Sequence, residues 1–265
     1  MNNQDLSNEA KAMLVLGSFQ TGDSTAIESY VSADKYIQHN LGAPDGRAAL
    51  ISMIPGASKG GNISIRRVLV MGDLVALHND YNLPAFGGAL VGFDVFRFKD
   101  GKIVEHWDNL MPRVNPNVSG HTETDGPVAV TDLDKTQDNY NRVVDFLTRS
   151  LISYDPKLDI TQYISPTTYI QHNPGSGDGL AAFQSMLQAM AKYKMVMTFS
   201  KIHFVVAQGN FVLTAAEGTL GDASKPAPTA FYDLFRLENG LIVEHWDVIS
   251  SIPPQSEWQN KNGKF

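Results

Sequence analysis

The chain contains no cysteine, which excludes disulfides, thiolate metal sites and a cysteine nucleophile. The chain is mildly acidic, with 28 Asp and Glu against 21 Lys and Arg, and it has no basic run. Nucleic-acid-binding proteins usually carry a basic patch. No stretch approaches the about 18 consecutive apolar residues of a membrane-spanning helix. We therefore expect neither nucleic acid nor a membrane as partner. We expect a cytoplasmic protein, or a secreted one if a signal peptide was removed.

Two short strings each occur twice, in the same order, in this 265-residue chain. YIQHN stands at 36–40 and 169–173, each time followed within nine residues by Asp-Gly, and IVEHWD stands at 103–108 and 242–247. The copies of YIQHN are 133 residues apart and those of IVEHWD 139. A period of this length has the size of a domain, so the repeat predicts two homologous domains in tandem.

The boundary between the copies is predicted in a segment rich in Pro, Gly, Asn, Ser and Thr. Such a composition without a helical apolar period is typical of a linker. We predict a first domain over 1–114, a linker over 115–131 and a second domain over 132–265.

Each copy shows helical patterns first and strand patterns afterwards. An amphipathic helix opens each copy, and its predicted buried face comprises Leu6, Ala10, Met13, Leu14 and Gly17 in the first, and Tyr140, Val143, Val144, Leu147 and Leu151 in the second. A second short helix, the YIQHN string and a third helix over 46–54 or 179–193 follow. The strands are predicted over 63–70, 74–81 and a hairpin at 91–110, then over 198–207, 211–219 and a hairpin at 230–249. This order predicts an α+β fold, with three helices on one face of a curved antiparallel sheet and a pocket between them.

The closing hairpin carries the acids and histidines of interest. A three-residue loop Lys99-Asp100-Gly101 would pair Asp94 with His106, whereas a two-residue loop would set Asp94 beside Trp107. We prefer the longer loop because it gathers acids and a histidine on one face. That face is predicted to hold Asp94, Phe96, Val104, His106 and Asp108, with Asp233, Phe235, Val243, His245 and Asp247 in the second copy, and to leave Arg97, Glu105 and Trp107 on the other.

The repeated strings resemble a known family. YIQHNLGAPDG, RRVLVMGD and FRFKDGKIVEHWD, with their second copies YIQHNPGSGDG, HFVVAQGN and FRLENGLIVEHWD, are similar to the SnoaL-like polyketide cyclases of the nuclear-transport-factor-2-like superfamily. The likeness covers nearly the whole chain and is strongest to two-domain members described as predicted aldol-condensation enzymes. It implies a cone of curved sheet wrapped by helices, and an aspartate that acts as general acid and base without a cofactor. Domains of this superfamily usually pair through their sheets, so we expect the halves to pair as an intramolecular pseudo-dimer; a further homodimer is compatible with the sequence.

An aldol-type step needs a base, an acid and a dry cavity. The predicted catalytic residues are Asp94, His106 and Asp108 in the first copy and Asp233, His245 and Asp247 in the second, and the predicted ligand-binding residues are His39, His78, Phe96, His172, His203 and Phe235. His39 and His172 follow a predicted helix, where a structural role is favoured and ligand contact is the alternative. Trp107 and Trp246 are expected in packing, and Glu105–Arg97 and Glu244–Arg236 as outward-facing ion pairs.

The copies differ at Leu41 and Pro174, at Arg66 and His203, and at His78 and Ala215, so the two pockets are not equivalent.

Three functions remain open at this stage. The first is a cofactor-free enzyme moving protons on a small hydrophobic carbonyl compound, and the second is a small-molecule binding or scaffolding module. The third is a metal site built from His39, Asp94, His106 and Asp108, for which spacing alone gives no support; we predict no metal. Two acids per pocket without a cluster of cations favour uncharged or weakly charged ligands.

Overall fold

The computed structural model describes residues 6–265 and divides into two compact units. The first unit contains the chain up to Arg113 together with Pro253–Phe265, and the second contains Val114–Ile252. The C-terminal tail therefore packs with the first unit, and the segment predicted as linker packs with the second. None of the helices among residues 6–265 is long and apolar enough to cross a bilayer.

The first unit has three helices and five strands. They are α1 (Asn8–Thr21), α2 (Thr25–Tyr30), β1 (Ile37–Gln38), α3 (Arg47–Ala57), β2 (Asn62–Met71), β3 (Leu74–Leu83), β4 (Gly88–Lys99) and β5 (Lys102–Pro112). Helix α1 begins where the Ser7 hydroxyl accepts a hydrogen bond from the Ala10 amide and ends at Gly22, whose φ of 79° only glycine adopts without strain.

The second unit repeats this order. Its elements are α4 (Thr136–Leu147), β6 (Ile170–Gln171), α5 (Leu180–Lys192), β7 (Met195–Gln208), β8 (Phe211–Asp222), β9 (Ala227–Glu238) and β10 (Leu241–Ser251). Helix α4 continues as a π-helical turn over Thr148–Ile152. The predicted second short helix is here only a 3₁₀ turn over Ile160–Gln162.

Each unit contains one five-stranded sheet, with strand order β1-β5-β4-β3-β2 in the first and β6-β10-β9-β8-β7 in the second. Four strands form an antiparallel meander, and the two-residue strand β1 or β6 adds to its edge in parallel. In the first unit one sheet face and the three helices share a core that includes Val15, Ile27, Leu50, Leu77 and Phe96. The predicted α+β class, with helices on one face of an antiparallel sheet, is confirmed. The short edge strand was not predicted, so the placement of His39 after a helix is wrong: it follows β1.

The hairpin between β4 and β5 closes with a two-residue turn. Lys99 pairs with Lys102, and the turn residues Asp100 and Gly101 have φ of 51° and 72°, as a type I′ turn requires. The register then shifts by one residue opposite Arg97 and Phe98. A two-residue turn with a bulge thus replaces the predicted three-residue loop.

The bulge restores the predicted faces although the predicted pairing is wrong. Asp94 lies opposite Asp108, and His106 lies opposite Phe96, so Asp94 and His106 are diagonal neighbours on one face. Because the bulge inserts one residue, Ile103 reaches the core and Val104 does not, which corrects the predicted position of Val104.

The predicted buried face of α1 is also wrong. The residues buried in this helix are Lys11, Ala12, Val15, Leu16 and Ser18, whereas Met13 and Leu14 are exposed by 39% and 48%. Apolar residues occur almost all round this helix, so their spacing does not select one face. In α4 the prediction is closer, because Val143 and Leu147 are buried.

Candidate functional site

The two repeated strings lie side by side in each unit. Strand β1 runs parallel to β5, with Ile37 beside Glu105 and Gln38 beside His106. Three successive residues of YIQHN therefore each contact EHWD: Gln38 with His106, His39 with Glu105 and Trp107, and Asn40 with Asp108. The second unit repeats the set: Gln171 with His245, His172 with Glu244 and Trp246, and Asn173 with Asp247. The strings recur together because each fixes the side chains of the other.

The Asp-Gly after each YIQHN string holds that edge strand in place. Asp45 accepts a hydrogen bond from the Gln38 amide at 2.8 Å, and Asp178 accepts one from the Gln171 amide at 2.9 Å. The glycine that follows Asp45 has φ of 90° and precedes α3. The dipeptide thus supplies an acceptor for the strand and a glycine for the turn into the helix.

Gln38 determines which nitrogen of His106 carries a proton. Its Oε1 accepts from the Asn40 amide at 2.8 Å, and its Nε2 donates to the Tyr36 hydroxyl. This fixes the orientation of the amide, so His106 Nδ1, 3.1 Å from Oε1, must be a donor. His106 Nε2 then faces Asp94 Oδ1 at 2.9 Å, and the two groups share a proton.

We call Asp94, His106 and Asp108 the first acid cluster. Besides His106, Asp94 binds two donors through Oδ2: Asn79 Nδ2 at 2.8 Å and the Tyr81 hydroxyl. Burial raises the pKa of Tyr81 well above its usual value, and the charge of Asp94 adds to this, so the hydroxyl stays a donor. Both oxygens of Asp94 are therefore engaged.

Asp108 in the first acid cluster is also partnered. Asn40 Nδ2 donates to its Oδ2, and the ammonium of Lys264 lies 3.6 Å from its Oδ1 while donating to its backbone oxygen at 2.7 Å. Lys264 comes from the C-terminal tail, and its side chain is only 12% exposed. Burial lowers the pKa of Lys264, and the charge of Asp108 opposes this.

We call Asp233, His245 and Asp247 the second acid cluster. His245 Nδ1 is 3.0 Å from Gln171 Oε1, which also accepts from the Asn173 amide, so the tautomer argument of the first unit applies again. His245 Nε2 lies 3.0 Å from Asp233 Oδ1, and the nearest ligand atoms of the three residues all lie within 4.8 Å of one another.

Two carboxylate oxygens of the second acid cluster have no hydrogen-bond partner among residues 6–265. Asp233 Oδ2 and Asp247 Oδ1 are buried and make no hydrogen bond with any of residues 6–265. From the strand register, Ala216 and Gly218 stand where the first unit has Asn79 and Tyr81, the two donors to Asp94. The second unit thus lacks the side chains that saturate the first.

Two groups of the second acid cluster, Asp247 and His245, have raised pKa values. Burial raises the pKa of Asp247 to about 6, and the negative charge of Asp233 adds to this, although His245 and Asn173 oppose it. The pKa of His245 is also raised, because its hydrogen bond to Asp233 and the charges of Asp247 and Asp233 outweigh its burial. A buried carboxyl with a pKa of about 6 beside a protonated imidazole can take and return a proton.

One family accounts for both units. The SnoaL-like domain matches residues 15–106 and again 143–245, which together make up more than half of the chain. The chain belongs to the SnoaL-like family. No protein with a curated description matches this SnoaL-like chain.

Solved structures similar to this SnoaL-like protein each cover about one of its halves. An NTF2-like protein of unknown function from Cytophaga hutchinsonii is 13% identical over 42% of this chain and 96% of its own, with a TM-score of 0.36. A putative polyketide cyclase from Bacillus cereus is 21% identical over 42% of this chain and 78% of its own, with a TM-score of 0.34. IdmH, a putative polyketide cyclase from Streptomyces antibioticus, is 16% identical over 40% and 92%, with a TM-score of 0.32.

Only two of the six predicted ligand-binding residues of this SnoaL-like protein lie at the acid clusters. Phe96 stacks on His106 at 4.6 Å between ring centroids, and Phe235 stacks on His245 at 4.9 Å. The four histidines contact other groups: His39 stacks on Trp107, His172 on Trp246 and His78 on Phe93, and His203 pairs with Glu217. Strand alternation puts Trp107, Trp246 and His78 on the sheet face away from the acids.

The ion pair predicted to face outward in the second unit is buried. Glu244 is 1% exposed and accepts from Arg236 Nε at 2.6 Å while also contacting His172. In the first unit Glu105 is less buried, with a side chain 19% exposed. Replacing Glu244 would therefore disturb packing, and this residue is a poor control for the acids.

Sequence reasoning missed the partners of the acids and histidines in both clusters. Gln38, Asn40 and their counterparts lie inside the repeated YIQHN strings, so the repeat itself was a signal for them. Tyr81 and Lys264 have no repeated counterpart, and only the folded chain shows that they reach the acids.

Proposed function

We propose that this protein is a cofactor-free acid–base enzyme acting on a small hydrophobic carbonyl compound by aldol-type cyclisation or isomerisation, and that the second acid cluster is its active site. The carrying observation is Asp247, a buried carboxyl with a pKa of about 6 and one oxygen that accepts no hydrogen bond from residues 6–265. A general base works best when its pKa lies near the working pH.

The proposed reaction uses Asp247 as both base and acid. Its Oδ1 removes a proton from the carbon alpha to the carbonyl, and the positive charge of protonated His245 stabilises the negative charge that develops on the carbonyl oxygen. In an aldol-type step the proton is then delivered to the alkoxide created by carbon–carbon bond formation. Asp247 ends as it began, so no outside oxidant or reductant enters the balance.

Asp233 holds His245 in its protonated state in this proposal. Its Oδ1 accepts from His245 Nε2, while Gln171 fixes Nδ1 as a donor on the other side of the ring. Two acceptors on one imidazole favour the cation. Loss of Asp233 should therefore lower activity through His245.

The first acid cluster supports a different role, which is a binding or structural one. Asp94 has three partners, and Asp108 is engaged by Asn40 and Lys264. A saturated carboxylate has no lone pair ready for a substrate proton. The alternative function, a module that binds or scaffolds without turnover, fits this half of the chain.

Exchange of α-protons tests the proposal without knowledge of the substrate. Small hydrophobic ketones and any compound that copurifies with the protein are incubated in deuterated buffer, and deuterium uptake is followed by mass spectrometry. Wild-type protein and Asp108→Asn should catalyse exchange, whereas Asp247→Asn should lose at least about 100-fold, as for removal of a general base. Equal loss in both variants, or exchange that survives Asp247→Asn, would remove the assignment.

A further inference from the structure

Two segments of the chain make the same contact with the two units. In the first unit, Gly263 of the C-terminal tail places its carbonyl oxygen 2.9 Å from His39 Nδ1. In the second, Thr122 places its carbonyl oxygen 2.7 Å from His172 Nδ1. The residues after them therefore occupy matching positions near the two acid clusters.

These matching positions carry opposite charges. Lys264 follows Gly263 and brings an ammonium to Asp108. Glu123 follows Thr122, is 3% exposed, and uses its Oε1 to accept from the Val114 amide at 2.9 Å. The negative charge of Glu123 adds to the raised pKa of Asp247, so the two carboxylates interact electrostatically.

Three buried oxygens of the second unit are left without a donor. They are Glu123 Oε2, Asp233 Oδ2 and Asp247 Oδ1, none of which is hydrogen-bonded within residues 6–265. Buried charges are normally paired, and an ammonium supplies one positive charge and three donors. We propose that the second unit binds a small hydrophobic ligand that carries a protonated amine, and that the amine donates to Glu123 Oε2 and Asp233 Oδ2 and leaves Asp247 Oδ1 to the α-carbon.

The proposal rests on the proposed function in that it names the substrate class of the same site. A divalent metal ion fits the site less well, because both ring nitrogens of His245 face acceptors and act as donors. The cluster would then offer a metal only carboxylate oxygens.

Helix α5 offers apolar surface for the body of such a ligand. None of its residues is fully buried, whereas α3 in the first unit buries Leu50, Ile54 and Ala57. Phe183 of α5 is half-buried and lies edge-on to Tyr169, 6.2 Å between ring centroids. Since Tyr169 binds Gln171, this apolar helix face is near the second acid cluster.

Calorimetric titration with benzylamine and with benzyl alcohol tests the proposal on the full chain at neutral pH. Wild-type protein should bind one equivalent of benzylamine, and at least about tenfold more tightly than the isosteric alcohol, because hydrogen bonds to charged groups are worth about 1.5–3 kcal/mol. Glu123→Gln and Asp233→Asn should each weaken amine binding by about tenfold or more. Lys264→Ala, which changes only the first unit, should still bind one equivalent with unchanged affinity.

Four results would overturn the proposal. They are equal affinity for amine and alcohol, unchanged affinity in both Glu123→Gln and Asp233→Asn, loss of amine binding in Lys264→Ala, and binding of Mn²⁺ without binding of benzylamine. The α-proton exchange assay on the same samples separates this failure from that of the proposed function. If the protein catalyses α-proton exchange but does not bind the amine, only the proposed ligand class is wrong. If it binds the amine but catalyses no α-proton exchange on any amine-bearing ketone, only the catalytic assignment is wrong.

Discussion

At the scale of single residues, the two clusters differ in what their carboxylates can still bind. Asp94 has its carboxylate oxygens occupied by His106, Asn79 and Tyr81, whereas the carboxylate of Asp233 is hydrogen-bonded only to His245 among residues 6–265. The difference arises on one strand, because Asn79 and Tyr81 of β3 are replaced by Ala216 and Gly218 of β8 in the second unit. The acid of the acid–histidine pair thus has further hydrogen-bond donors in the first unit and none in the second, among residues 6–265.

The raised pKa of Asp247 predicts a pH-dependent gain in stability when this residue is replaced. Its pKa is about 6 in the folded protein against an ordinary value of 3.8, so the folded state favours the protonated form and loses stability as pH rises from about 4 to above 6. Asp247→Asn removes that cost. Relative to wild type, its free energy of unfolding should therefore rise by up to about 3 kcal/mol between pH 4 and pH 7, measured by urea denaturation.

The control for this experiment is Asp134→Asn, which removes the same charge from a side chain 77% exposed. Its difference from wild type should change little over the same pH range. A flat difference for Asp247→Asn as well would show that the buried carboxyl is not destabilised by ionisation.

The residues of the two acid clusters could be found from the sequence, because the repeat and the strand period bring them to one face. Their partners could not be assigned in the same way. Gln38 and His106 meet because a two-residue strand pairs in parallel with the last strand of the meander. Nothing local in YIQHN requires this pairing, since the hydrogen bonds that fix it come from distant residues.

At the scale of elements, α3 and α5 occupy corresponding places but pack differently. Ile54 in α3 is 2% exposed, and its counterpart Leu187 in α5 is 41% exposed. Ile54→Ala should cost about 2–5 kcal/mol of stability, whereas Leu187→Ala should cost less than about 1 kcal/mol. Denaturant unfolding measures both. Comparable losses would mean that α5 is packed as closely as α3.

Strand β8 contains a glycine that the sheet requires. A Cβ at Gly218 would overlap the carbonyl oxygen of Thr198 on the neighbouring strand, beside a bulge in β7. Gly218→Ala should therefore cost about 3 kcal/mol or more. Gly17→Ala is the matched control, because Gly17 lies inside α1 with open space around it, and alanine there should add about 0.5–1 kcal/mol. The contrary result is a Gly218→Ala variant as stable as wild type.

Element types followed from the sequence more reliably than their details. The β4–β5 hairpin was predicted with the acids and His106 on the correct face but with Val104 misplaced and the pairing wrong, because a short turn with a bulge and a longer loop give the same alternation beyond the bulge. The face of α1 was missed because apolar residues surround that helix. Periodicity identifies an element, while packing against the rest of the unit decides its orientation.

At the scale of the whole molecule, the C-terminal tail belongs to the first unit. Asn260 Nδ2 donates to the backbone oxygens of Asn40 and Ala43 at 2.8 and 3.0 Å, and Asn262 Nδ2 donates to that of Gln38 at 3.0 Å. Deleting 253–265 should therefore speed amide hydrogen exchange in 36–43 and 105–109 and leave 169–173 and 244–248 unchanged, as mass spectrometry can follow. Equal acceleration in both sets would show that the tail does not stabilise the first unit specifically.

The repeat predicted two units, and the contacts bear out two compact bodies. The sequence placed the tail in the second domain, over 132–265, whereas it packs with the first unit, because hydrogen bonds from Asn260 and Asn262 to backbone oxygens leave no apolar pattern in the sequence. The asymmetry between the units depends on this assignment, since Lys264 reaches Asp108 through the tail.

The proposed active site is tested most directly by the ionisation of Asp247. The carboxyl carbon of each aspartate in ¹³C-labelled protein is followed by NMR from pH 4 to pH 8, and the resonance of Asp247 is assigned by its absence in Asp247→Asn. The structure predicts a midpoint near 6 for this group. A midpoint at or below the usual value for an aspartate would contradict the account, because a carboxyl that ionises so easily could not act as the acid–base group of the second unit.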